Sequence, residues 1–172
     1  MLTLRHAEPG SHSGLRARRA VAAELILVAP GPAKAAREFA DSTLRSWGIT
    51  DTGNSVLVIS ELTANADRAG RDAGHAGVLL RLGLTARYVI IQVGDRNTAV
   101  PQLPPASADA ENGRGLRVAR ALSRQLCWYS QGGWKIVWAA VPRRAGSSWR
   151  RLSRRWLRPG SSHRWLQPGR AA

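Results

Sequence analysis

Glu61 and Asn65 stand four residues apart in Ser60-Glu61-Leu62-Thr63-Ala64-Asn65-Ala66, Asp95 closes an apolar run, and Gly113-Arg114-Gly115-Leu116 follows a long loop. On a helix, that four-residue spacing puts a carboxylate and a carboxamide on one face, a turn apart. The pair suits a general base beside a magnesium ligand. The carboxylate can take a proton from an attacking oxygen, and the amide oxygen is a hard ligand that adds no charge. Each piece alone has a plainer reading, as a solvated helix face, a turn aspartate or an ordinary glycine turn. Their order along the chain makes them a candidate nucleotide site.

Two helices and a hairpin are needed to position these groups. Pro32 can open a helix over Ala33 to Trp47, with Ala36, Phe39, Ala40, Leu44 and Trp47 on one stripe and Gly48 as its stop. Asp51 or Thr52 can cap a second helix in which Val56, Ile59, Leu62, Thr63 and Ala66 face inward, and this helix carries Glu61 and Asn65. Val78 to Leu84 and Tyr88 to Asp95 read as a hairpin turning at Thr85-Ala86-Arg87. Period two places Asp95 on the face of Val89, Ile91 and Val93, where a carboxylate needs a donor. Glu24 to Ala29 is a candidate first strand. Residues 96 to 112, with three prolines, read as a long loop, and Gly113 to Leu126 as a helix with Leu116, Ala119 and Leu122 inward. Cys127 to Ser130 and Lys135 to Val141 form a closing hairpin around Gly132-Gly133.

Composition narrows the class. At 172 residues, 44% of them hydrophobic, the chain is expected to form one globular domain with tails. The single cysteine, Cys127, has no internal disulfide partner, so a reducing, cytoplasmic compartment is the expectation. No stretch approaches the roughly 20 apolar residues of a membrane-spanning helix. The net charge of +15 would point to nucleic acid if it were evenly spread. Nine arginines without an acid after Pro142 carry +9, and residues 1 to 22 carry +3, so only +3 remains for the central 23 to 142. The expected division is a disordered basic arm over 1 to 22, a folded domain over 23 to 142, and an Arg/Trp-rich tail over 143 to 172. Trp149, Leu152 and Trp156 would lie on one side of a short basic amphipathic helix in that tail. Tryptophan interleaved with arginine would suit weak contact with nucleic acid or an anionic membrane.

In sequence and order the motifs resemble those of the GHKL ATPase superfamily, and more closely the anti-sigma factor serine/threonine kinases of the RsbW type with their small actinobacterial relatives. Val58-Ile59-Ser60-Glu61-Leu62-Thr63-Ala64-Asn65-Ala66 is similar to that family's N box, Val93-Gly94-Asp95 to its first glycine box, and Asn112-Gly113-Arg114-Gly115-Leu116 to its second. Gly133-Trp134-Lys135-Ile136-Val137-Trp138 resembles the closing strand, with Ile136 where a threonine that helps bind adenine is common. The chain departs from the pattern at Asp95-Arg96-Asn97-Thr98-Ala99, which lacks the usual glycines, and at Asp67-Arg68-Ala69.

The resemblance implies a two-layer α/β sandwich with helices on one face of a mixed, largely antiparallel sheet. It implies ATP and Mg2+ as cofactors, Glu61 as general base, Asn65 as metal ligand, and Asp95 as acceptor for the adenine amine. Gly113, Arg114, Gly115 and Leu116 would then hold the phosphates. The implied activity is transfer of a phosphoryl group to a serine or threonine of an anti-sigma factor antagonist, with a sigma factor as second partner and room for a homodimer. Two alternatives stay open: a regulator that acts by protein contact without turnover, and a binder that works through its basic tail.

Overall fold

The computed structural model describes residues 2–3, 5–6, 21–27, 31–103 and 114–143. In chain order the elements are β1 (Leu2–Thr3), β2 (Arg5–His6), β3 (Val21–Leu27), α1 (Ala33–Ser46), α2 (Gly53–Asp72), β4 (Val78–Leu84), β5 (Tyr88–Asp95), β6 (Gln102–Leu103), α3 (Arg114–Leu122), β7 (Gln125–Gln131) and β8 (Trp134–Pro142). Six strands form one sheet in the order β2-β7-β8-β5-β4-β3, parallel at β2–β7 and antiparallel elsewhere, and β1 pairs with β6 in a separate ladder. The mixed, largely antiparallel sheet and the α/β sandwich are as expected.

Apolar periodicity explains how the layers close. Ala36, Ala40 and Leu44 of α1 and Val58, Ile59, Leu62 and Ala66 of α2 are buried in one core with Leu80, Leu82, Val89, Ile91, Val93, Val137, Ala139 and Val141 of the sheet. Each Leu, Ile or Val so buried contributes roughly 1.5–3 kcal/mol of transfer free energy. Gly48 adopts a φ of +77°, a conformation that ends α1 and that other residues reach only with strain. Thr52 precedes α2 but does not cap it through its side chain. Its hydroxyl donates instead to Asp41 Oδ1 at 2.6 Å, while Arg45 Nε donates to Asp41 Oδ2 at 2.7 Å, so one α1 carboxylate joins the two helices.

The opposite parity of the same strands builds a second cluster on the other side of the sheet: Ile90, Tyr129, Ile136, Trp138 and Ala140, with Tyr88, Cys127 and Trp134 packed against it. No described helix residue belongs to it.

Three expectations change. The basic arm contains strands at Leu2–Thr3 and Arg5–His6, and β3 begins at Val21, inside the span expected to be disordered. Pairing with β6 and β7 supplies backbone partners that local composition does not reveal. The third helix ends at Leu122 instead of Leu126, because Gln125 and Leu126 enter the ladder opposite Ala140 and Ala139. The loop over 96 to 112 includes β6. Apart from Arg143, the tail expected to bind nucleic acid or membrane lies outside the described residues, as does Gly113. Among the described residues no helix is long and apolar enough to cross a membrane.

Candidate functional site

Helix α2 presents Glu61 and Asn65 on a half-buried flank, and α3 begins directly against them. A Cβ at Gly115 would lie 2.5 Å from Glu61 Oε2, 3.1 Å from Asn65 Nδ2 and 3.3 Å from Glu61 Cβ. Glycine is therefore what lets the backbone of α3 come this close. The first turn of a helix carries N–H groups without intrahelical acceptors and the positive end of its dipole. A carboxylate, a carboxamide and a helix N-terminus thus meet at one point. Among the described residues the buried Asn65 Nδ2 has no hydrogen-bond partner, and neither does the Thr63 hydroxyl, which faces the core two residues earlier on α2. A buried donor without a partner costs about 1–3 kcal/mol, so an unpaired amide N–H at this point is a position for an acceptor on a ligand.

Arg114 is exposed at the mouth of α3, whereas the Leu116 side chain is 8% exposed and belongs to the main core. Leu116 was expected to bind the ligand, and with its side chain occupied in packing only its backbone N–H is left for that task.

Asp95 ends β5 on the helix-facing side and is 2% exposed. The donors it needs are Lys135 Nζ at 3.2 Å and the backbone N–H of Asn97 at 2.8 Å, both on Oδ1. Burial pushes the Asp95 carboxyl above its ordinary range, against the opposing pull of the Lys135 charge and the Asn97 N–H. Asn97 also donates its side-chain amide to the Ala69 carbonyl at 2.8 Å and accepts from the Ala99 N–H at 2.7 Å. Ala69 lies one turn beyond Asn65 on α2, about 6 Å along the axis. The aspartate end of the site and the Glu61–Asn65 end therefore border the same helix, tied by Asn97.

Sequence reasoning missed Lys135 and Asn97. Lys135 was legible from period two: it alternates with Val137, Ala139 and Val141, and it lies opposite Asp95 in the β5–β8 register. Asn97 read as a missing glycine, although asparagine is itself a turn former through its side chain. Ile136, which by resemblance takes the place of an adenine-binding threonine, is 1% exposed in the far-side cluster, on the face of β8 opposite to Lys135.

These residues fit a magnesium nucleotide. Among the described residues no cluster of three or more His, Cys, Asp or Glu forms a metal cage. Mg2+ is characteristically held by few protein ligands together with substrate phosphates, and an Asn65 carboxamide beside an anion-binding helix start meets that pattern. Residues 27–140 match the family model of the histidine kinase-like ATPase domain. No curated protein matches the chain.

Proposed function

The chain belongs to the histidine kinase-like ATPase family, an ATP-binding domain, and from that premise we propose that it is a regulatory serine/threonine protein kinase of the anti-sigma factor type. Its substrates are Mg-ATP and a hydroxyl of a partner protein of the anti-sigma factor antagonist class, and a sigma factor is its second partner. The observation that carries this reading is the contact of Gly115 with Glu61 and Asn65, which brings a carboxylate and a carboxamide against the start of α3.

In the reaction the partner's hydroxyl oxygen forms a bond to the γ-phosphorus as the bond to the β-phosphate oxygen breaks. ADP leaves, and the hydroxyl proton passes to Glu61. Asn65 would hold Mg2+, which neutralises charge on the phosphates when bound. The N–H groups at the start of α3 stabilise charge on the transferred group, and Asp95 accepts from the adenine amine.

The test is transfer from γ-labelled ATP to candidate antagonist proteins by the wild type and by Glu61→Ala. The variant should keep its nucleotide affinity while transfer falls roughly 10²- to 10⁴-fold, the usual loss on removing a general base. A second reading, a nucleotide-binding regulator that acts by contact alone, draws on the same geometry, because α3 covers Glu61 Oε2. It replaces the first if the wild type binds Mg-ATP but transfers phosphate to neither water nor any partner.

A further inference from the structure

The ion pair between Asp95 and Lys135 lies at the base-binding end of the site, and both residues are almost fully buried there. The two donors to Asp95 converge on Oδ1, one from β8 and one from the turn after β5. With one oxygen held from two directions, the carboxylate cannot rotate freely, and among the described residues Oδ2 is the acceptor left for a ligand.

We propose that Lys135 is a positioning and specificity residue for the nucleotide base: it holds Asp95 as a fixed, acceptor-only carboxylate that selects a 6-aminopurine over a 6-oxopurine. This rests on the reading of Asp95 as the base-recognition residue.

The chemistry of the two bases makes the choice sharp. An exocyclic amine donates to an ionised carboxylate. A 6-oxo group offers only lone pairs, which an ionised carboxylate repels but a protonated one can satisfy by donating its own hydrogen. Burial drives Asp95 toward the protonated form, and the charge of Lys135 opposes it, assisted by the Asn97 N–H. Without Lys135 the carboxyl is freer to rotate and to carry a proton, and both changes blur the distinction between the bases. Asn97 joins this unit to α2 through Ala69, so the orientation of the base is referred to the helix that carries Asn65.

The experiment is calorimetric titration of the full chain with Mg-ATP and with Mg-ITP, for the wild type, Lys135→Met and Lys135→Gln. The wild type should prefer ATP by about tenfold or more, the size of one hydrogen bond to a charged group. In Lys135→Met the preference should fall close to one. Lys135→Gln, which keeps a donor but loses the charge, should retain an intermediate preference. It decides alone if the methionine variant does not fold.

A purely structural lysine would lower thermal stability and leave the ATP-to-ITP ratio untouched, and an unchanged ratio in folded variants overturns the proposal. Failure of the underlying reading looks different, since the wild type itself would then bind neither nucleotide or bind both equally.

Discussion

The two faces of β5 and β8 carry the same kind of apolar strand but end differently. Toward the helices, Val89, Ile91 and Val93 oppose Val141, Ala139 and Val137, and the series finishes in the charged pair Asp95 and Lys135. On the other side Ile90, Ile136, Trp138 and Ala140 continue into an aromatic cluster with Tyr129 and Trp134, beside which Arg96 lies over the Trp134 ring at 4.6 Å. One residue of register therefore separates a charged position on the helix-facing side from a packing position on the far side. Lys135 and Ile136 are neighbours in sequence and belong to different chemistries.

The largest effect should come from breaking the charged end of the helix-facing side. Asp95→Asn leaves Lys135 as a buried cation without its counter-charge, which costs about 3–5 kcal/mol in comparable buried pairs. Thermal unfolding should show a clear drop, and Asp95→Asn combined with Lys135→Met should recover much of it. If the single substitution is neutral, the pair is not the buried unit described.

On the far face, Ile136→Thr puts a hydroxyl into an apolar cluster and should cost about 1–3 kcal/mol of stability. Nucleotide affinity should be unchanged by calorimetry. A gain in ATP affinity would place residue 136 in the base site and reverse the assignment of the two faces.

The smallest effect concerns Cys127, opposite Trp138 on that same far face. Burial pushes its thiol up to about 11, so the reactive thiolate is scarce at neutral pH and increases as pH rises toward that value. Alkylation at pH 8 should be slow, and saturating nucleotide should not alter its rate. Protection by ATP would mean that the far face senses the site.

Much of this comparison was legible in the sequence. Long periodic segments announced α1, α2, β4 and β5, because there the pattern of burial and the local conformation agree. Alternation alone brought Asp95 to the buried helix-facing side, and the four-residue spacing put Glu61 and Asn65 on one flank of α2. What was missed depends on long-range pairing. Leu2–Thr3 and Arg5–His6 become strands only because β6 and β7 accept them, and α3 stops early because β8 competes for the residues after it. Resemblance directed attention to residue 136, whereas alternation along β8, applied as it was to β5, would have placed Lys135 at the site. Asn97 could be read only after the turn was seen to bring its amide to Ala69.

Titration of the full chain with a nonhydrolysable ATP analogue, with and without magnesium, tests nucleotide binding on the helix-facing side most directly. Saturable one-to-one binding is expected, strengthened by magnesium in the wild type and much less so in Asn65→Ala. Absence of binding under both conditions, in a protein that circular dichroism shows to be folded, would contradict it.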